Sequence, residues 1–276
     1  MTSAQVALRS LDRTKFADEI VELDKEISRL KNALATVLAG LHPDRPYDVE
    51  AGRYSSTRRF LQPYDHIFTT NYDLLLYWTL RQTENVVERT RIDDDGFRSR
   101  DADGVQLDCV YWDHLKPFDQ SIHYLHGALH LYRGLDGLRK LTWVRTNRAL
   151  IDQIREQLAA NYFPLYVSEG SSDEKLVKIH TSDYLSKGLR SLASCGGGLT
   201  AYGLSFAEND AHFIDAVVRS PLKRLAVALY GDLNSPENKR TIEAVKTLPV
   251  LRESRSTRRR SALNVSFYDA SSVSLW

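Results

Sequence analysis

A chain of 276 residues, 42% hydrophobic and 26% charged, is long enough for one large core or two modest lobes. A formal net charge of +1 gives no overall field toward nucleic acid or an anionic membrane, and two cysteines, Cys109 and Cys195, cannot build a disulfide framework or a zinc site of three or four thiolates. No apolar run reaches the roughly 18 residues of a membrane span, and the polar opening MTSAQVALRSLDRTKFADE is not a secretory signal; the expected compartment is a reducing cytoplasm.

From Phe16, apolar residues recur at Ile20, Leu23, Ile27, Leu30, Leu34, Val37 and Leu41, a 4-3-4-3 spacing that predicts one long amphipathic helix over the first 42 residues, stopping near Gly40. The stripe is read as packing on the domain, with a coiled-coil or dimer contact as the alternative. Residues 43–62, with SSTRR among them, read as polar and turn-rich. HIFTT is a strand and LLLYWTL the start of a helix, and RIDDDGFRSRDADGV lacks the spacing of a calcium loop. SIHYL is a second strand, ending at His126-Gly127, and LIDQIREQLAANY is a helix. SDYLSKGLRSLASC is a helix capped by Ser182 or Asp183 and stopped by CGGG. LTAYGLSF is a strand entering a turn before the helix ENDAHFIDAVVRS. LKRLAVALYG is a buried strand, SPENKRTIEAVKTL a helix with Ser235 at its cap, and LNVSFYD the final strand. The arginines of LRESRSTRRRSA read as a solvated loop. Apolar strands separated by amphipathic helices predict an α/β fold, with a mostly parallel central sheet flanked by helices.

In such a sheet, ligands sit beyond the carboxyl ends of the strands. Three segments bring polar groups there. IFTTNYD carries Thr69, Thr70, Asn71 and Asp73; HYLHG carries His126 and Gly127; AYGLSFAEND carries Gly203, Ser205, Glu208, Asn209 and Asp210. Asn71 and Asp73 equally suit a helix cap, and His126 a structural histidine. Tyr72 reads as a packing residue. His123, at an odd offset on an extended segment, faces away from His126. His130 and His212 read as ordinary core or surface histidines.

Together TTNYD, HYLHG and YGLSFAENDAHF resemble the SIR2-like, sirtuin-related family, closest to an uncharacterised bacterial branch of the domain-of-unknown-function 4917 kind. YLHGALHLY and EGSSDEKLVKI share that branch's wording, and the resemblance covers roughly residues 60–220. It implies a Rossmann-like NAD-binding domain over 60–250, with an inserted lobe at about 84–118 and 134–175, between the N-terminal helix (1–42) and a terminal loop and strand (251–276). It implies that Asn71 contacts the nicotinamide ribose and positions water, and that His126 is the active-site histidine. Thr69, Thr70, Gly127, Gly203, Ser205 and Asp210 would line the cofactor, and Asp73 would brace the asparagine loop.

The chain lacks the zinc ribbon of sirtuin deacetylases, so the resemblance points to NAD hydrolysis, to nicotinamide and ADP-ribose, in bacterial anti-phage defence. No metal enters this reading. Nothing before residue 60 matches the family's Gly-rich first turn, so either the first strand is missing or half the cofactor site has been lost. The alternative function is therefore a non-catalytic NAD- or nucleotide-binding or protein-interaction module. A homo-oligomer through the N-terminal stripe, or a regulatory protein partner, is the expected assembly; neither nucleic acid nor membrane is expected.

Overall fold

The computed structural model describes residues 17–81, 94–100, 108–115, 120–167, 170–255 and 261–275. The chain is mixed α/β. Helix α1 (Ala17–Leu41) leads into α2 (Ala51–Leu61), strand β1 (Ile67–Thr69) and α3 (Leu75–Arg81). Strands β2 (Phe97–Arg98), β3 (Cys109–Trp112), β4 (Ile122–Tyr124), β5 (Gly127–Gly134) and β6 (Gly137–Leu141) follow, then α4 (Trp143–Thr146), α5 (Leu150–Ala159) and β7 (Pro164–Tyr166). The remainder is α6 (Ser172–His180), α7 (Asp183–Ser194), β8 (Gly197–Ala201), α8 (Ala211–Arg219), β9 (Leu222–Leu229), α9 (Pro236–Arg255) and β10 (Asn264–Asp269).

Three sheets result. β1 and β4 pair in parallel, as do β10, β9 and β8 in that order, whereas β2-β3-β6-β5-β7 is antiparallel throughout. The largest sheet is thus antiparallel where the sequence pattern predicts mostly parallel pairing. The cause is local: β5 and β6 form a hairpin closed by Leu135-Asp136 between the paired Gly134 and Gly137, too short a link for a parallel crossover. Most of this sheet comes from the segments expected as an inserted lobe. Its interior holds an ion pair between Lys140 and Asp95, both nearly inaccessible. Burial alone would raise the Asp95 carboxyl, but the Lys140 ammonium, by charge and hydrogen bond, outweighs it and holds it below its ordinary range.

The strands HIFTT, SIHYL, LKRLAVALYG and LNVSFYD form close to their predicted spans. CGGG does not merely stop α7: Gly197 and Gly198 already pair with β9. Ser182 caps α7 by accepting from Leu185 N, and Ser235 accepts from Asn238 N at the start of α9. Two segments differ from expectation. SSTRR lies inside α2, which buries Tyr54, Thr57, Arg58 and Leu61 on one side. Helix α9 continues through Pro249 to Arg255, so the first arginines of LRESRSTRRRSA are helical; residues 256–260 lie outside the described residues. Arg252 is buried, and its guanidinium donates to the carbonyls of Val217, Val218 and Leu222, satisfying the end of α8.

Helix α1 forms within the predicted span, residues 1–16 lying outside the described residues, and its stripe divides: Ile20, Leu23 and Ile27 are half-buried, whereas Leu30, Val37 and Leu41 face outward. Ala39 enters the core cluster around Tyr77, Trp78 and Ile154, with α5 as the main partner, and His42 just beyond the helix accepts from Leu74 N at 2.9 Å. Leu30 and Leu41 are 69% and 80% exposed, and Val37 is exposed too. Phe16 lies outside the described residues. No described helix is long and apolar enough to cross a membrane.

The two kinds of sheet meet at Leu125-His126-Gly127. Leu125 N donates to Thr69 O (2.8 Å), completing β1–β4, and Val167 N donates to His126 O (2.8 Å), beginning the β5–β7 pairing. Gly127 makes the change of direction at φ +82°, and a Cβ there would lie 1.9 Å from Leu165 O. Gly127→Ala is expected to cost about 3 kcal/mol or more, read as a lowered midpoint in urea unfolding; a loss under about 1 kcal/mol would contradict this account of the junction.

Candidate functional site

His126 lies immediately beyond the carboxyl end of β4 and is buried, 6% of the residue being exposed. Its Nε2 is 3.3 Å from His212 Nε2, in the first turn of α8. His212 Nδ1 is 3.0 Å from Ser172 Oγ at the start of α6, and the same oxygen accepts from His212 N at 2.9 Å. Lys175 Nζ donates to Asp210 Oδ1 at 3.0 Å beside this pair. Phe213 packs against both imidazoles, with centroids 4.9 and 4.1 Å away. His126, Asp210 and His212 each offer a ligand atom, all within 4.8 Å of one another, so these three could hold a metal ion.

The protonation pattern follows from the partners. Burial, reinforced by the neighbouring imidazole and the Lys175 ammonium, pushes His126 down to about 4 against the partial offset of Asp210. Burial also takes His212 down to about 4. Both rings are neutral at pH 7. The two bonds fix the tautomers together: with His212 Nδ1–H donating to Ser172 Oγ the shared proton sits on His126 Nε2 and His126 Nδ1 carries a lone pair, and with Ser172 O–H donating to His212 Nδ1 it sits on His212 Nε2.

The TTNYD segment reaches this corner through Tyr72. The Tyr72 ring stacks beside His126 at a centroid distance of 6.4 Å, its hydroxyl donates to Val167 O, and its carbonyl accepts from Leu129 N at 2.9 Å. Asn71, one residue earlier, is exposed; its side chain hydrogen-bonds Asp73, and its N–H donates to Thr69 Oγ1 at 3.1 Å. Asp73 caps α3 by accepting from Leu75 N, and burial raises its carboxyl above the ordinary value despite these bonds. Asp73 thus bonds both the Leu75 N–H and the Asn71 side chain. Thr70 is half-buried next to them.

Other expected site residues lie apart. The close approach that Gly127 allows is made by the protein's own Leu165 carbonyl. Gly203 (φ +69°) and buried Phe206 (φ +54°) turn the chain after β8, and a Cβ at Gly203 would meet nothing within 4 Å. Ser205 is exposed, and its carbonyl accepts from Thr241 Oγ1 at 3.2 Å, so this turn is tied to α9, with no described contact to His126. Glu208 and Asn209 are exposed. His123 stacks on Phe68 at 5.0 Å and His130 is fully buried between Tyr77 and Tyr124. His212 is the correction: expected to be an ordinary histidine, it is the direct partner of His126. Ser172 and Lys175 carry no local sequence signal for this site, because only the packing of α6 against α8 brings them here.

A large cleft of about 610 Å³ lies elsewhere, between His66 and Phe68 of the β1 segment and Leu199, Thr200 and Tyr202 around β8. It does not include His126. The chemistry-bearing cluster and this cleft are separate features.

The histidine shifts carry a sign. The unfolded chain takes up these protons near pH 6.5 and the folded chain near 4, so the stability they contribute is present above about 6.5 and is lost as pH falls toward 4. Imidazole NMR signals of His126 and His212 should accordingly show no titration between pH 7.5 and 5.5, with the thermal midpoint dropping below pH 6.5. Two rings titrating near 6.5 would refute the buried neutral pair.

No curated protein matches the chain. A family model described as a domain of unknown function, DUF4917, matches residues 5–276. The chain belongs to the DUF4917 family.

Proposed function

We propose that this protein binds NAD and hydrolyses it to nicotinamide and ADP-ribose, with His126 as general base. The observation that carries the reading is a neutral histidine held at the carboxyl end of a parallel strand, flanked by the Asn71–Asp73 turn. Breaking the nicotinamide–ribose bond sends its electron pair to the pyridinium nitrogen and leaves positive charge on the anomeric carbon. A water oxygen bonds to that carbon and gives its proton to His126 Nδ1. This role requires the tautomer in which His126 Nε2–H donates to His212 Nε2, 3.3 Å away, so that the gained charge is shared toward His212 and Asp210. Asn71 donates to ribose and accepts from water without changing charge, and Asp73 fixes its amide. We read the two parallel pieces as parts of one Rossmann-like sheet, because β1 and β8 flank one cleft and the last turn of α7 lines it. In this reading Thr69, Thr70, Gly203 and Ser205 attend the rest of the nucleotide.

A second reading, a non-catalytic nucleotide-binding or interaction module, is favoured by the seclusion of His126 and by the separation of Ser205 from it. Incubating purified protein with NAD and following nicotinamide release separates the two. Turnover in the wild type, lowered at least about 100-fold in His126→Ala and in Asn71→Ala, is the expected outcome. Saturable NAD binding in calorimetry without release would leave the module.

For assembly, the exposed Leu30, Val37 and Leu41 of α1 support a homodimer through paired helices, and the half-buried Ile20 and Ile27 alternate with Leu23 and Leu30 in the a and d spacing that favours two parallel strands. Light scattering should give twice the monomer mass, reverting to one with Leu30→Glu and Val37→Glu together; a monomer at all concentrations would remove the dimer.

A further inference from the structure

We propose that His126, His212 and Asp210 form a binding site for one divalent transition metal of the zinc and cobalt class. The central observation is the separation of the two imidazole nitrogens. Tetrahedral coordination at the usual zinc–nitrogen length places two ligand nitrogens about 3.3 Å apart. His126 Nε2 and His212 Nε2 are already 3.3 Å apart. A metal can replace the bridging proton without moving either backbone. The third ligand is less advanced: the three ligand atoms lie within 4.8 Å, so the carboxylate must close by up to about 1.5 Å to join a tetrahedral shell. Asp210 has that freedom, being half-buried in a one-turn 3-10 segment, Glu208–Asp210.

A second feature points the same way. Metal-bound histidines hold their other ring nitrogen in a hydrogen bond, which fixes the tautomer and the ring plane. His212 has this support from Ser172 Oγ, itself anchored where α6 begins. Two imidazoles and one carboxylate suit zinc, cobalt or iron(II) rather than calcium or magnesium, which prefer all-oxygen shells. Three protein ligands leave a fourth position for water or another ligand.

Lys175 opposes the ion. Its ammonium occupies Asp210 Oδ1, leaving Oδ2, and its charge repels a cation. It therefore sets the affinity, and Lys175→Met should tighten binding. The site stands independently of the NAD reading. If that reading holds, there is one further consequence, resting on it: coordination at Nε2 moves the His126 proton to Nδ1, and the base is switched off.

The test uses the full chain without nucleotide. Cobalt(II) and zinc(II) are titrated in calorimetry, with cobalt absorption followed in the visible. One equivalent should bind, with the cobalt bands of a four-coordinate nitrogen–oxygen site. His212→Ala should abolish that equivalent, Ser172→Ala weaken it about tenfold, and Lys175→Met strengthen it. X-ray absorption at the zinc edge of the wild type should count two imidazoles, which decides the matter even if the His212 variant fails to fold. No one-equivalent binding, binding unchanged in His212→Ala, or fewer than two imidazoles overturns the site. Nicotinamide release is scored in a separate assay, so loss of the metal site leaves the hydrolase reading where it stood.

Discussion

The turn of the chain at Leu125-His126-Gly127 is the constraint on which the site depends. Within three residues the backbone leaves a parallel ladder and enters an antiparallel one. That change is possible because Gly127 tolerates a positive φ and brings no Cβ against Leu165 O. The backbone groups on either side are committed, Leu125 N to Thr69 O and Val167 N to His126 O. The His126 backbone is therefore held by two sheets at once, which fixes the direction of its Cα–Cβ bond. What the neighbours add is chemistry: His212 and Ser172 order the protons, and Tyr72 and Phe213 close the faces of the ring.

Two buried ammonium–carboxylate pairs differ in what surrounds them. Lys140 and Asp95 are sealed inside the antiparallel sheet, both nearly inaccessible to solvent, with Tyr77 and Phe97 within reach of the ammonium. Such a pair holds a register; removing one partner would strand a charge. Lys175 and Asp210 form a similar bond at the rim of the histidine cluster, but Asp210 stays partly open to solvent. The same chemistry is structural in one place and adjustable in the other.

Much of this was legible in the sequence, for reasons that differ by element. β1, β4, β9 and β10 declare themselves by short β-branched or apolar runs bounded by turns, and α7 and α9 by serine caps. His126 and the Asn71–Asp73 turn were visible because each ends such a run. The β5–β6 hairpin was missed because its turn is Leu-Asp between two glycines, not one of the common turn pairs, and α2 because its Ser, Thr and Arg residues look like loop although they bury one face. His212 was missed for a deeper reason. Its partner is 86 residues away, and only the docking of α8 against α6 and α7 makes them neighbours. No local pattern carries that information.

Arg252 gives the same separation a dimension in time. The carbonyls that end α8, the helix bearing His212, are satisfied by a guanidinium from the far end of α9, and the sheet beside it closes only when β10 pairs with β9. On the ribosome the His126 half of the cluster is made long before its counterpart can be held in place. The pair therefore joins residues 86 positions apart, and the elements that brace α8 follow it in the chain.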